Sequence, residues 1–181
     1  MERQEVLRII ESQVSNERLR KHMLAVEAVM RALARRLGKD EEKWALAGLV
    51  HDIDYDVTSG DPENHGRKGA EYLKQLGFDE EITRAVESHA GHTDRISEME
   101  KALYATDPLT GLIVAAALMH PSKSLKQVTP EFVMKRFKEK RFAAGADRDQ
   151  IRSCEEIGLD LSEFIEIGLR AMQEISEEIG L

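Results

Sequence analysis

Apolar residues recur every three or four positions along almost the whole chain. This is the spacing of one face of an α-helix, because a helical turn takes about 3.6 residues. Only four prolines interrupt the pattern, and no segment has convincing features of a strand. The length of 181 residues suits one domain with a sizeable core. The sequence therefore predicts an all-α protein, with residues 1–181 in a single helical bundle.

Capping residues divide this pattern into separate helices. Asn16 can accept hydrogen bonds from free backbone N–H groups at the start of a long second helix, and Gly38 ends that helix. Asp147 and Gln150 have the three-residue spacing of a capping box. Residues 53–64 include the turn-forming run SGDPEN and are predicted to be a loop. The predicted helices cover residues 2–13, 17–37, 41–51, 66–76, 79–89, 97–119, 148–157 and 161–179, with another that begins at 129–130.

The net charge of −8 and the single cysteine restrict the classes of partner. An acidic surface gives no general attraction to nucleic acid or to an anionic membrane, so we expect neither as the main partner. No apolar run reaches about 18 residues, and the charged N-terminus lacks the features of a secretory signal. Cys154 has no second cysteine to pair with, which favours a reducing compartment. We therefore expect a cytoplasmic protein, whose oligomeric state the sequence leaves open.

Several histidines and acids fall on helix faces that are otherwise apolar. His22 lies in the middle of the apolar stripe of the second helix, and His89 continues an apolar face of the helix at 79–89. Asp107 lies beside an almost wholly apolar segment, which is typical of a buried helix. Hydrogen bonding within the core would explain each histidine alone, but an inward carboxylate needs a cation or several donors. Shared coordination of a metal ion explains all of these groups together.

The stretch 49-LVHDIDYDV-57 places His51 and Asp52 at the inner end of a buried segment. A capped helix end followed by an acidic surface turn is the alternative interpretation. Imidazole and carboxylate ligands without thiolate suit a divalent ion with open positions, such as Mn, Fe, Co, Zn, Ni or Mg, rather than a closed structural zinc. His65 and His89 could supply a second ion, with Asp52 as a bridge. The expected ligands of the first ion are His22, His51, Asp52 and Asp107.

The order of these residues resembles the HD superfamily of metal-dependent phosphohydrolases. The motifs HDIDY and HPSKSL further resemble small stand-alone HD proteins of bacteria and archaea. The resemblance implies an HD-type helical bundle, with a motif core at 18–120 and a helical C-terminal extension at 121–181. It also implies the same six metal ligands and two ions per chain, because single-metal members lack the added pair His65 and His89. The matching segments are RLRKHMLAVE, LAGLVHDIDYD, ENHGRKGAEYL, AVESHAGH and LYATDPLTGLI.

A phosphate substrate needs cations in addition to the metal ions. Arg67 and Lys68 follow His65 on the first turn of a helix, and Lys123 lies in the turn after the apolar helix. We expect these three basic residues to contact the substrate. The basic run at 135–142 is predicted to be the solvated face of a helix whose other face is in the core.

Catalytic roles are expected for Asp52, Asp54 and Lys123. Asp54 would either orient the groups around the metal ions or act as a general acid or base. Asp56 is predicted to keep the turn after the third helix solvated. His92 is interpreted either as a loop histidine or as an alternative metal ligand.

The sequence thus predicts a metal-dependent phosphohydrolase that acts on a nucleotide or another small phosphoester through a metal-activated water. Two alternatives stay open at this point. One is a non-enzymatic regulatory module that binds metal and nucleotide. The other is a di-iron oxygenase of HD type, which the extra histidine pair permits and which iron content and oxygen consumption would identify.

Overall fold

The computed structural model describes residues 1–181 and contains α-helices and short 3₁₀ turns but no strand. The prediction of an all-α protein is therefore confirmed. Short 3₁₀ segments cover Pro62–Asn64, Leu125–Gln127 and Ser153–Ile157. The α-helices are α1 Arg3–Gln13, α2 Glu17–Leu37, α3 Glu41–Val50, α4 Tyr55–Thr58, α5 Arg67–Gln75, α6 Glu80–His89, α7 Glu98–Met119, α8 Pro130–Lys138, α9 Arg148–Arg152, α10 Leu161–Glu174 and α11 Ser176–Ile179.

The predicted caps bound the second helix. The Asn16 side chain accepts hydrogen bonds from the backbone N–H groups of Arg18 and Leu19, which have no partner inside the helix. Gly38 ends α2 in the left-handed conformation, with a φ of 66° that costs glycine little. These two ends fix the position of α2, and so the depth at which His22 enters the core.

The structure corrects the predicted course of the chain in three segments. Residues 53–64 are not a plain loop, because they contain α4 and the 3₁₀ turn Pro62–Asn64. The segment 148–157 is divided into α9 and the 3₁₀ segment Ser153–Ile157. The segment 161–179 is divided at Ile175 into α10 and α11. None of these changes moves a predicted metal ligand to a different helix.

A continuous apolar core extends from α1 to α11, with α2, α3 and α7 at its centre. Gly48 allows α3 to approach α2 closely, because a Cβ atom there would lie 2.8 Å from the Val26 carbonyl oxygen. This approach brings the end of α3 beside α2 at the level of His22. Phe164 of α10 belongs to the same core, but the assignment of 121–181 as an extension of one domain stays a prediction.

A proline inside α7 is compensated by a side chain from α9. Pro108 has no N–H to donate to the carbonyl four residues earlier, which is that of Tyr104. The Gln150 side chain donates to this carbonyl instead, at 2.8 Å. Gln150 therefore does not complete the predicted capping box, and the Asp147 side chain caps α9 without it. As a result, α9 stabilises α7 next to Asp107.

By length and composition, α7 is the one helix that is apolar enough to cross a membrane. However, 56% of its most apolar window is buried inside the protein. A helix at the centre of a core is apolar on all sides for the same reason that a membrane helix is. The composition of α7 is thus explained by its position between the other helices.

Candidate metal site

Six side chains from separate segments of the chain meet at one point inside the bundle. They come from α2, from the two residues directly after α3, from the second residue before α5, from the last residue of α6 and from the middle of α7. The Nε2 atoms of the four histidines all lie within 3.6 Å of a carboxylate oxygen of Asp52. The structure therefore brings together all the residues expected as ligands. They are His22, His51, Asp52, His65, His89 and Asp107.

The first cluster lies on the Oδ2 side of Asp52. This oxygen is 3.6 Å from His22 Nε2 and 3.4 Å from His51 Nε2. Asp107 Oδ1 is 3.0 Å from His22 Nε2 and 3.8 Å from His51 Nε2. The two histidine Nε2 atoms face each other at 3.2 Å.

The second cluster lies on the Oδ1 side of the same carboxylate. Asp52 Oδ1 is 3.2 Å from His65 Nε2 and 3.4 Å from His89 Nε2. These two Nε2 atoms also face each other, at 3.1 Å. Asp52 thus stands between two groups of ligands and offers one oxygen to each, which is the arrangement of a bridging carboxylate.

The ring orientation in the first cluster is fixed through the Nδ1 atoms. His51 Nδ1 is 2.8 Å from the Gly48 carbonyl oxygen, which can only accept, so Nδ1 carries the hydrogen. His22 Nδ1 lies 3.1 Å from the Thr110 hydroxyl, which donates its own hydrogen to the Asp107 carbonyl. His22 Nδ1 must then donate as well. In both rings Nε2 is therefore the nitrogen that is available to a metal ion.

The second cluster follows the same rule. His89 Nδ1 donates to the Val86 carbonyl oxygen, and His65 Nδ1 lies 3.0 Å from Asp54 Oδ1. A carboxylate that accepts from the outer nitrogen of a histidine is a common support for metal ligands, because it fixes the ring and increases the basicity of Nε2. Both Nε2 atoms again point toward Asp52.

Lone pairs that face each other at 3.1–3.2 Å, next to carboxylates, repel one another unless a cation lies among them. Neighbouring ligand atoms around one ion, with bonds of about 2.1 Å, are about 3.0–3.4 Å apart in octahedral or tetrahedral geometry. The nitrogen and oxygen atoms of the first cluster are 3.0–3.8 Å apart. Those of the second are 3.1–3.4 Å apart. The donor set and its spacing therefore fit divalent metal ions.

The pKa values of the histidines and of Asp52 also indicate that the cluster stabilises positive charge. Burial acts to lower the pKa of His51, but Asp52 and Asp107 raise it well above its usual value. Burial likewise acts to lower the pKa of His65, yet Asp52 and Asp54 raise it to about 9. Burial acts to raise the pKa of Asp52, and the neighbouring His51 holds it well below the usual range. The carboxylates that hold protons on these imidazoles would hold a metal ion in the same positions.

Asp54 is placed to support the site rather than to face it. It is 4% exposed, and its Oδ1 accepts from His65. Its Oδ2 accepts from the backbone N–H groups of Gly66 and Gly69, at 2.9 and 2.8 Å. Since both oxygens are occupied, the geometry favours the orienting role over that of a general acid or base.

The predicted substrate contacts lie at different distances from the clusters. Arg67 is exposed at the start of α5, two residues after His65, while Lys68 forms an ion pair with Asp61. Lys123 is exposed beyond the end of α7, and the helix from Asp107 to its last residue is about 18 Å long. Contact of Lys123 with a substrate at this site, and its catalytic role, stay predictions.

The remaining two predicted residues lie outside the ligand set. His92 Nε2 is 2.8 Å from the Pro62 carbonyl oxygen, which holds it in the loop after α6. Asp56 accepts from the backbone N–H and the hydroxyl of Ser15 and so connects the turn after α3 to the start of α2. Asp56 thus holds two segments together, which a solvated turn residue would not do.

The site is open to solvent at the first cluster. The side chains of His22 and Asp107 are 24% and 31% exposed, whereas His51 is fully buried. They line a cavity of about 390 Å³, whose other wall is formed by residues of the segment 143–146 and by Gln150.

The sequence reasoning missed this wall and the hydroxyl of Thr110. A polar residue three positions after Asp107 on an otherwise apolar helix was the available signal for Thr110. The part of the wall at 143–146 gave no signal, because it consists of small residues in a loop.

A family model described as HD domain matches residues 19–148 of the chain. Ribonuclease Y of Sulfurovum sp. is 28% identical over 131 residues, which are 71% of this chain and 26% of the relative. An uncharacterised protein of Methanocaldococcus jannaschii is 36% identical over 96 residues, or 50% of this chain and 55% of that protein. The chain thus spans about a quarter of the first relative and about half of the second. No solved structure matches the chain.

Proposed function

Because the chain belongs to the HD domain family, we propose that it is a metal-dependent phosphohydrolase that acts on a nucleotide or another small phosphoester. The family match supports the class of a metal-dependent hydrolase. The observation that carries the proposal is the pair of facing Nε2 atoms on each side of Asp52. A single bridging carboxylate with two histidines on each oxygen suits two ions, and we propose two per chain. When bound, such ions would neutralise phosphate oxygens and increase the acidity of the attacking water.

The chain's own residues would hold and orient this centre. Asp52 offers one oxygen to each cluster, which keeps both ligand groups at a fixed separation. Thr110 and Asp54 fix the rings of His22 and His65 through their Nδ1 atoms. Arg67 is the predicted cation that stands nearest to the ligands in sequence, and we propose that it contacts a phosphate oxygen.

The exposed edge at His22 and Asp107 is the proposed entry for the substrate. The buried side of the site, formed by His51 and His89, excludes water from the back of the ligands. A low-dielectric wall behind the ions increases their effect on a bound phosphate. A cytoplasmic location stays part of the proposal, since the only cysteine, Cys154, is a buried free thiol.

The test is a panel of phosphomonoesters, phosphodiesters and nucleotides, assayed with Mn, Mg, Co, Fe, Ni and Zn in turn. We expect turnover of at least one class with at least one ion. His51→Ala and Asp52→Ala should abolish that turnover, while circular dichroism stays that of an all-α protein. His92→Ala, outside the ligand set, is the matched control and should retain activity. Full turnover by either ligand variant would refute the proposal.

A phosphodiester bond of RNA is a second candidate substrate, because several relatives carry the name Ribonuclease Y. The basic residues at 135–142 would be the contact for its backbone. The net charge of −8 argues against this candidate. A short labelled RNA in the same panel distinguishes the two: cleavage without hydrolysis of any mononucleotide would favour RNA.

A further inference from the structure

An apolar groove of about 510 Å³ leads away from the metal site along α2 and α7. It begins at His22 and Gly111, which also line the cavity at the exposed end of the site. On α7 it continues along Val114 and Leu118. These residues form one stripe with Asp107, because helix positions three or four apart share a face. From Asp107 to Leu118 the stripe is about 16 Å long.

The walls of this groove are aliphatic. Ala25 of α2 and Ile179 of α11 are almost fully buried beneath it, whereas Leu118 is 54% exposed at its far end. Apart from His22, no lining residue is aromatic, and the groove contains no amide or hydroxyl side chain. Nucleobases are normally held by stacking on aromatic rings and by hydrogen bonds at their edges. Along α7 the groove offers neither kind of contact.

Two cations stand at the rim of the groove next to the metal site. Arg18 lies one turn before His22 on α2 and is exposed, and Lys21 pairs with Glu17 at 2.9 Å. Residues four apart on a helix have Cβ atoms about 6 Å apart, so the Arg18 side chain can reach an anion at His22. The groove therefore has the Arg18 cation beside the ligands and is apolar farther away.

We propose that the groove binds the aliphatic part of the substrate, so that the natural substrate is a phosphoester of an aliphatic alcohol rather than a nucleotide. This inference rests on the proposed function, since it places the phosphate at the first cluster. Arg18 neutralises part of the phosphate charge, and the stripe from Gly111 to Leu118 contacts the chain of methylene groups. The charge and the apolar surface of the groove match the two ends of such a molecule.

The experiment compares three probes by calorimetry with the wild-type chain in the presence of Mn. They are n-octylphosphonate and ethylphosphonate, whose carbon–phosphorus bonds resist hydrolysis, and adenosine 5′-monophosphate. Each buried methylene contributes about fourfold in affinity, so octylphosphonate should bind at least about tenfold more tightly than ethylphosphonate. It should also bind more tightly than the nucleotide. Equal affinity for the two phosphonates, or tighter binding of the nucleotide, would overturn the proposal.

Val114→Asn introduces a polar group midway along the groove, about 10 Å along the helix from Asp107. We expect it to weaken octylphosphonate binding about fivefold and to leave ethylphosphonate binding unchanged. Met119→Asn is the matched control, because Met119 is 63% exposed on the same helix and does not line the groove. An equal loss in both variants, or none in Val114→Asn, would contradict the role of the groove. The ratio of octylphosphonate affinity to ethylphosphonate affinity in the wild-type chain tests the proposal even if a variant does not fold.

Hydrolysis of p-nitrophenyl phosphate by the same preparation tests the proposed function separately. Turnover without preference for octylphosphonate would overturn the groove proposal alone. Failure of both turnover and ethylphosphonate binding would overturn the proposed function. A preference for octylphosphonate that Val114→Asn removes supports the groove proposal whether or not this ester is cleaved.

Discussion

At the scale of single residues, the site depends on what each histidine binds through Nδ1. His51 and His89 each donate to the carbonyl three residues earlier in their own helix, so the backbone alone sets their orientation. His65 is different, because its partner is the Asp54 carboxylate from another segment. His22 also depends on a side chain, the Thr110 hydroxyl. Each cluster therefore contains one histidine whose orientation a single side-chain change can disturb.

We expect Asp54→Asn to weaken binding of the second ion by 10- to 100-fold, roughly the usual cost of losing such a supporting partner. An asparagine side chain is uncharged and has only one acceptor oxygen. It therefore cannot accept hydrogen bonds from His65 and from both backbone N–H groups as the carboxylate does. Metal titration with a competing chelator measures the effect. Asp56→Asn, which changes an exposed acid that binds Ser15, is the matched control. Equal metal affinity in the two variants would contradict this role.

The raised pKa values predict that metal binding releases protons. With a pKa of about 9, His65 keeps its proton at pH 7.5, and the pKa of His51 is also raised well above its usual value. A metal ion needs the lone pair and so displaces these protons. Apparent metal affinity should therefore rise with pH, and the contribution of His65 should level off above about pH 9.

Calorimetry in two buffers of different ionisation enthalpy counts the released protons at pH 7.5. His65→Ala should release fewer protons than the wild-type chain. An affinity that does not change between pH 6.5 and 9 would refute the expectation.

At the scale of secondary-structure elements, one arginine organises the wall of the cavity. The Arg148 guanidinium, at the start of α9, donates to backbone carbonyls in the last turn of α8 and along the loop that follows it. This loop includes Ala143, whose φ of 44° is unfavourable for a residue with a side chain. The acceptors are the carbonyls of Arg136, Phe137, Glu139, Phe142, Ala143 and Ala146.

We expect Arg148→Met to lower the free energy of unfolding by about 2 kcal/mol, because several carbonyls lose a charged donor and must turn to water. Urea unfolding measures this change. Arg170→Met is the matched control, since Arg170 pairs only with Glu166 of the same helix at an exposed position, and should change stability by less than about 0.5 kcal/mol. Similar losses in the two variants would contradict the proposed role of Arg148.

The elements were predictable where local chemistry determines them. The cap at Asn16 and the glycine at the end of α2 follow from rules that act within a few residues, and the structure confirms both. The break at Ile175 and the partner of Gln150 depend on contacts between distant segments, which periodicity does not contain. Lys123 was expected at the site because of a motif, and its role there stays a prediction.

The metal ligands illustrate the same division. Their inward direction followed from helical spacing, since His22 and His89 continue apolar faces. Asp52 was predicted as a bridge, but which of its oxygens faces which pair of histidines did not follow from spacing. Two of the four polar partners at Nδ1 were hidden as well, because they are backbone carbonyls.

At the scale of the whole molecule, the site connects α2, α3, α5, α6 and α7. A metal ion that binds only the folded chain should therefore stabilise it by about 2.7 kcal/mol at a concentration 100-fold above the dissociation constant. For a chain of this length we expect the melting temperature to rise by roughly 5–10 °C. Differential scanning calorimetry with Mn and then with excess chelator measures the shift. Asp52→Ala should lose it, whereas a shift of the same size in that variant would contradict the location of the ions.

The hydrogen bond from Gln150 to the carbonyl that Pro108 leaves free joins two positions that are far apart along the chain. Such positions should be inherited as a pair. In a homologue with another residue at 108, the backbone N–H of that residue would donate to the carbonyl of residue 104. The amide at 150 would then no longer be needed for this hydrogen bond. Descendants that retain proline at 108 should keep a donor at 150, and those without it should vary there freely.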